Sequence, residues 1–194
     1  MDNEFDGLAY HKERLRLLVW SGFFNAQDFE IEARDMRYDP DAAPHVDELR
    51  RYTLEQMAAK KEAEKSWPAV TDWDRLDGVF TALTQAKILT LHNAGYTQND
   101  AHSDAWELVN TLPGDWRGFV FYHGQDVERA IEGLPLFLGF DAISRAPEAK
   151  TAVGMEFTGA LRAAGFTIDW DGDPEKRPAI TNLDWKKRTV WETR

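Results

Sequence analysis

The stretch FVFYHGQD at residues 119–126 passes from a continuously apolar run into a polar turn and then into the start of a helix. Continuously apolar runs of about four to eight residues are typical of strands that are covered on both faces, as in sheets built from βαβ units. The runs ILTL at 88–91 and LFLGF at 136–140 have the same character. Helical patterns are predicted between and after these runs, at 99–112, 125–132 and 147–164. The sequence therefore predicts alternating strands and helices, and an alternating run at 166–170 would add one more strand.

The N-terminal third of the chain has a different, helical pattern. Helices are predicted at 8–20, 27–36, 44–66 and 71–86. The run KKEAEK at 60–65 mixes both signs of charge, which is typical of an exposed helix face with local ion pairs. Trp67 and Pro68 end this segment. We therefore expect an N-terminal helical layer at 1–66 that packs on an α/β domain at 67–194, the two forming one folding unit.

The predicted fold class is α/β, or α+β, with a central mixed, partly parallel sheet of about four to five strands. The last stretch, 180–191, is predicted to add an edge strand. The segment DWDGD at 169–173 has a superficial likeness to a calcium loop. Pro174 stands where such a loop needs Gly, and Ile180 stands where it needs Glu, so an Asp-Gly turn between strands is the better interpretation.

Composition and charge exclude several functions. The 194 residues include 23 Lys and Arg against 34 Asp and Glu, a formal net charge of −11 with neutral His. This field repels phosphate and anionic lipid, so we expect no nucleic acid and no membrane partner, and favour a basic protein or a small ligand. The absence of Cys excludes disulfides, thiolate nucleophiles and Cys-ligated metals. Neither a Walker loop nor a GxGxxG turn occurs, so we expect no cofactor. The acidic start lacks the features of a signal peptide, so we expect a cytoplasmic location. A monomer or weak dimer is the general expectation for a domain of this size.

Two predicted strands end in a histidine followed by a polar turn and a helix. His92 and His123 are 31 residues apart, about the length of a βαβ unit. If the two strands are parallel neighbours, both residues emerge at one edge of the sheet, where open α/β sheets generally bind ligands. We term this the strand-end edge (residues 92–100 and 122–129). The candidate ligand-binding residues there are His92, Asn93, Tyr96, Thr97, Asp100, His123, Gln125, Asp126 and Arg129, of which His123 and Asp126 are also the catalytic candidates.

Each candidate also has a purely structural interpretation. Asn93 could shape the turn, Thr97 could cap the next helix, and His123 could be a buried, hydrogen-bonded histidine. Asp126 and Arg129 could form a local helix pair, or Arg129 and the first amides of that helix could hold an anion.

A metal site is a further alternative. It would be built from His92, Asp100, His102, His123 and Asp126. These residues have no fixed metal-binding spacing, so no metal site is predicted.

Two motifs resemble a known family. AGYTQND at 94–100 and FYHGQDVERA at 121–130 are similar to motifs in a family of functionally uncharacterised bacterial domains, with TDWDRL at 71–76 and WDG at 170–172 as further parts. The resemblance spans about 67–190, with a looser match in the first helix. It implies a domain and no reaction. It also centres the candidate site on residues 122–129, with Tyr96 and Asp100 opposite.

Two functional hypotheses follow. The first is a non-catalytic binding or regulatory protein, of immunity type for example, that recognises a basic partner or a small ligand at the strand-end edge. The alternative is a small hydrolase in which His123 is the acid–base, Asp126 orients it and Arg129 holds an anionic group.

Overall fold

The computed structural model describes residues 6–191, which contain seven α helices and six short strands. They form two compact units. The helical unit comprises the described residues up to Ala69 together with those from Lys186 onward, and the α/β unit is Val70–Trp185. None of the helices within residues 6–191 is long and apolar enough to cross a bilayer.

Three helices build the helical unit: α1 (Gly7–Ser21), α2 (Ala26–Asp35) and α3 (Val46–Glu64). Two short 3-10 turns, Met36–Tyr38 and Ala43–His45, join α2 to α3. The core of the unit is a cluster of buried apolar side chains: Leu15, Val19, Phe29, Met36, Ala42 and Leu49. The apolar positions on these helices recur at helical spacing, so each helix turns one face to this cluster.

A buried lysine ties the end of the described chain to the helical unit. Lys60 is fully buried, and its Nζ donates to the carbonyl of Val19 at 3.0 Å and to Oγ1 of Thr189 at 2.8 Å. Glu64, one turn later, accepts from the backbone amide of Thr189 and from Nε1 of Trp191 at 2.9 Å each. These bonds satisfy the polar groups that the packing removes from water. Residues 186–191 therefore lie along α3 rather than forming the predicted edge strand.

The α/β unit contains two small sheets. The first consists of β1 (Ile88–Leu91), β2 (Gly118–Phe121) and β4 (Gly139–Ala142), in the order β1-β2-β4. The second consists of β3 (Leu136–Phe137), β5 (Ile168–Asp169) and β6 (Ala179–Ile180), in the order β3-β6-β5. Four helices complete the unit: α4 (Asp72–Gln85), α5 (Gln98–Thr111), α6 (Gly124–Ile131) and α7 (Pro147–Ala163).

The predicted fold class is correct, but the predicted sheet of four to five strands is wrong. β1 and β2 are parallel and β2 and β4 are antiparallel, so the first sheet is mixed and partly parallel, with three strands. The run 136–140 does not form one strand, because it is shared between the sheets. Leu138 stands at the break and donates its amide to the carbonyl of Pro178 at 2.8 Å. At Gly139 a Cβ would lie 2.3 Å from the ring of Phe121, so only glycine fits where the chain enters the first sheet.

The predicted helices are confirmed to within two residues at each end. The agreement has a local cause in reciprocal N-terminal caps. Thr71 and Asp74 cap α4, and Thr97 and Asp100 cap α5, each pair exchanging side-chain-to-backbone bonds. Such caps are encoded within four residues, and so they can be read from sequence.

The burial of Lys60 predicts a pH dependence of stability. Burial lowers the pKa of Lys60 from 10.5 to about 7, with Glu64 opposing the shift and Lys187 adding to it. Between these two pH values the unfolded chain binds a proton that the folded chain does not. The free energy of unfolding should therefore rise with pH across this window, by up to about 1.4 kcal/mol per pH unit.

Urea unfolding followed by circular dichroism between pH 6 and 10 measures this slope. The variant Lys60→Met removes the titrating group, so its curve should be flatter than that of the wild type. The matched variant Lys65→Met, on the exposed end of the same segment, should keep the wild-type slope. Parallel curves for the wild type and Lys60→Met would show that Lys60 is charged in the folded protein.

Candidate functional site

Parallel pairing of β1 with β2 brings the two strand ends together. Leu91 is in register with Phe121, the last residue of β2. Beyond the strands, the amide of Ala94 donates to the carbonyl of Tyr122 at 2.9 Å. The two segments that follow the strands therefore continue side by side, and the strand-end edge is one continuous piece of structure.

The first amides of α6 are engaged by the neighbouring loop. Gly124 donates its amide to the carbonyl of Gly95 at 3.1 Å, and Gln125 donates to the carbonyl of Tyr96 at 3.3 Å. The amide of Asp126 bonds within the turn to the carbonyl of His123. An anion at a helix start needs such amides. Backbone carbonyl oxygens of the neighbouring loop occupy the position that an anion would take in that alternative.

The buried side chains of His123 and Asp126 form a cluster at the start of α6 with Arg177, which is half-buried. The Nε2 atom of His123 lies 3.1 Å from Oδ2 of Asp126 and 3.3 Å from Nη1 of Arg177. Oδ2 of Asp126 also accepts from the backbone amide of His123 at 3.1 Å and from Nη2 of Arg177. The same Nη2 donates to the carbonyl of Phe137 at 3.0 Å. Arg177, and not the predicted Arg129, is therefore the counterion of Asp126.

This environment favours a neutral imidazole. Burial lowers the pKa of His123 below its ordinary value and Arg177 acts in the same direction, whereas Asp126 and the backbone of Tyr96 oppose the shift. The ring is 3% exposed, and its Nδ1 atom makes no hydrogen bond of normal geometry within the described chain. A neutral ring can act as a base, but a substrate needs access to it. The cluster is therefore arranged to join the start of α6 to β3 through Arg177.

His92 belongs to a different cluster. Nε1 of Trp73 donates to the hydroxyl of Tyr122 at 3.3 Å, the hydroxyl lies 2.6 Å from Nδ1 of His92, and Nε2 of His92 lies 3.1 Å from Oδ1 of Asp77. An indole can only donate, so the Tyr122 hydroxyl proton is left for His92 and the Nε2 proton for Asp77. Burial raises the pKa of Tyr122 and keeps it protonated. The network therefore runs from the buried hydroxyl of Tyr122 through His92 to Asp77, whose side chain is 47% exposed.

The two predicted histidines therefore share an edge but no partner. Tyr122 and His123 are consecutive in an extended segment, so their side chains leave in opposite directions. The alternative metal site also lacks its geometry, because His92, His102 and His123 each face a different carboxylate. Within residues 6–191, no three His, Cys, Asp or Glu side chains are placed to hold one metal ion.

Several of the other candidates have structural positions. Asn93 has a positive φ of 49° and shapes the turn, as its alternative interpretation predicted. Thr97 and Asp100 form the cap of α5. The exposed Arg129 lies over the ring of Phe137, with 5.3 Å between Cζ and the ring centroid.

Tyr96 and Gln125 are the candidates that face solvent at the centre of the edge. Tyr96 is 54% exposed, and its hydroxyl donates to Oε2 of Glu128 at 3.3 Å. Its ring lies against Gly124, where a Cβ would approach Cδ2 to 2.8 Å. The ring thus packs against Gly124, and its hydroxyl is bonded to Glu128. The side chain of Gln125, the next residue after Gly124, is exposed.

Sequence reasoning missed Arg177 and Asp77. Arg177 is 51 residues from Asp126, and Asp77 is 15 residues before His92. Neither pair has a helical or turn spacing. The only available signal was that a carboxylate expected to be buried, such as Asp126, needs a cation from elsewhere in the chain.

Comparison with known proteins shows the family of the chain. Residues 5–189 match the model of a family described as "Domain of unknown function (DUF6891)". The match includes the N-terminal helices, so it is longer than the region of about 67–190 that the motifs suggested. No curated protein and no solved structure matches the chain.

The buried pair predicts the result of removing Arg177. Arg177→Met leaves the carboxylate of Asp126 buried without its counterion, which should lower the free energy of unfolding by about 3–5 kcal/mol. Arg177→Lys keeps the charge without the forked geometry and should lose less. The exposed Arg145→Met is the matched control and should stay within about 0.5 kcal/mol of the wild type.

The same variants test the electrostatics of His123. Since Arg177 lowers the pKa of His123, that pKa should be higher in Arg177→Met than in the wild type, as measured by NMR titration of the ring. A His123 pKa that does not change, or that falls, would contradict the contact between the two side chains.

The hydrogen bonds of Tyr122 with Trp73 and His92 predict how much the Tyr122 hydroxyl contributes to stability. Tyr122→Phe removes the acceptor of the Trp73 indole and the donor to His92, and should lower the free energy of unfolding by about 1–3 kcal/mol. Tyr38→Phe, at a side chain that is 85% exposed, is the control. Equal stability of the two variants in urea unfolding would show that the hydroxyl of Tyr122 contributes nothing.

Proposed function

The chain belongs to DUF6891, a family of domains of unknown function, and we propose that it is a non-catalytic binding protein that recognises a basic partner protein at the strand-end edge. The observation that carries this proposal is an exposed tyrosine, Tyr96, whose hydroxyl donates to Glu128.

The first support is the position of Tyr96. Aromatic side chains that are exposed but held in one orientation are typical anchors of protein interfaces, because they lose little conformational freedom on binding. The bond to Glu128 and the contact with Gly124 restrict the ring in this way.

The second support is the charge around Tyr96. Asp100 is in the cap of α5, which begins two residues after Tyr96, and Glu128 accepts a hydrogen bond from the hydroxyl of Tyr96. Hydrogen bonds from Thr97 lower the pKa of Asp100, which keeps it ionised. The α/β unit as a whole has nine Lys and Arg against eighteen Asp and Glu, a net charge of −9 out of −11 for the chain. The field that attracts a basic partner is concentrated in the unit that carries the tyrosine.

The polar groups beneath the surface of the strand-end edge also support the proposal. His123, Asp126 and the first amides of α6 are bonded to the chain itself. Such a cluster fixes the shape of a surface but offers little to a reacting molecule. A regulatory or immunity-type role, in which the domain covers a basic partner, is consistent with this arrangement.

The alternative function is hydrolysis with His123 as the acid–base. One observation favours it, namely the lowered pKa of His123, which supplies a neutral base at pH 7. Two contacts are unfavourable to it. Asp126, which would orient His123, is bonded to Arg177, and Arg129, which would hold the anionic group, lies over the ring of Phe137. Hydrolysis of p-nitrophenyl acetate or p-nitrophenyl phosphate by the wild type, lost in His123→Gln, would favour the enzyme over the binding protein.

A capture experiment with matched charge reversals tests the proposal. The tagged chain is incubated with lysate of its native cell at about 50 mM and at about 300 mM salt, and bound proteins are quantified by mass spectrometry. We expect a basic protein that binds the wild type, is retained by Glu148→Lys and is lost in Glu128→Lys. Glu148 is the control because it is exposed on α7, outside the strand-end edge. Tyr96→Ala should reduce capture of the same protein at least tenfold.

Two results of the capture experiment would contradict the proposal. If Glu128→Lys and Tyr96→Ala capture the same proteins as the wild type, the strand-end edge is not the binding surface. If the captured proteins are acidic, or bind more strongly at high salt, the partner chemistry proposed is wrong.

A further inference from the structure

A cavity lies within the helical unit, between α2 and α3. Its volume is about 220 Å³. The floor consists of side chains that are part of the buried core of this unit: Leu15, Phe29, Met36 and Leu49. The wall continues outward through Met57 to Leu54, which is 62% exposed. The cavity therefore runs from the core of the helical unit to its surface.

The polar groups of this cavity already have partners. Oγ1 of Thr53 donates to the carbonyl of Leu49 at 2.8 Å, within α3. At the rim, Nη2 of Arg50 on α3 lies 2.6 Å from Oε2 of Glu30 on α2. The remaining lining is apolar. A polar or charged molecule inside would lose its hydration without finding a hydrogen-bond partner, which is unfavourable.

The packing of α2 leaves room on both of its sides. Phe29 is the one buried residue within this helix of ten residues. A second cleft of about 300 Å³ lies on the other side of Phe29, lined also by Leu18, Phe24 and Ile31. The ion pairs of Glu30 with Arg50 and of Glu32 with Arg14 also join α2 to α3 and α1, so the helix borders both spaces without filling them.

We propose that the cavity between α2 and α3 is a binding site for a small, uncharged apolar molecule, such as a single aromatic ring or a short alkyl chain. An apolar cavity of about 150 Å³ in another protein stays dry and binds benzene. The cavity here is somewhat larger and equally apolar on its floor. The Glu30–Arg50 pair neutralises the rim, so the site selects by shape and apolarity and excludes anions as well as cations.

The chain carries its own reporters for this site. Of its four methionines, Met36 and Met57 line the cavity, whereas Met155 is exposed on α7 in the other unit. With ¹³C-methyl methionine, toluene should shift the Met36 and Met57 signals saturably and leave the Met155 signal unchanged. Benzoate, which has the same ring and a negative charge, should shift neither signal at equal concentration.

A filling variant supplies the control. Ala33→Leu places a larger side chain in the cavity wall and should weaken toluene binding at least tenfold, whereas Ala59→Leu, at an exposed position of α3, should leave it unchanged. Three outcomes would each overturn the proposal: no saturable shift with toluene, equal toluene binding by Ala33→Leu and the wild type, or benzoate binding as tight as toluene binding. Circular dichroism of each variant verifies that it is folded.

Discussion

The bond between Arg177 and the buried carboxylate of Asp126 is the interaction on which the α/β unit depends. The carboxylate stands at the start of α6, directly after β2, and the guanidinium also bonds the carbonyl of Phe137 in β3. Strand β6 begins two residues after Arg177, at Ala179. One guanidinium thus fixes the end of the first sheet against two strands of the second. A buried carboxylate cannot be left unpaired without a large cost in free energy, so these elements must come together in this arrangement.

This constraint also determines what the strand-end edge can do. With Asp126 held by Arg177 and with the amides of α6 bonded to Gly95 and Tyr96, the groups that would attract an anion or activate a nucleophile serve the fold. The ring of Tyr96, whose hydroxyl bonds to Glu128, is among the side chains of this edge that remain exposed. The binding interface proposed above would use this aromatic side chain and the charge near it.

The helical unit follows a different rule. Residues 1–69 and 186–194 together have a net charge of −2, close to neutral, whereas the α/β unit carries −9. Hydrogen bonds of Lys60 and Glu64 with Thr189 and Trp191 hold residues 186–191 along α3. Toward α2 the packing is looser, and the cavity beside Phe29 results. One face of α3 is therefore joined to residues 186–191 by hydrogen bonds. The face toward α2 is apolar and leaves a cavity.

The sequence by itself determined the seven helices and the first two strands, whereas their parallel pairing was a condition that only the tertiary structure met. The helices and strands are encoded locally, by reciprocal caps such as Thr97 with Asp100 and by continuous apolar runs such as 88–91. The tertiary structure alone decided that the run 136–140 divides between two sheets, that Arg177 pairs with Asp126, and that His92 and His123 have separate partners. The reason is distance along the chain. Caps and apolar periodicity act within a few residues, whereas a counterion 51 residues away, or a strand that changes sheets at Leu138, is selected by which groups remain unsatisfied once the chain is compact.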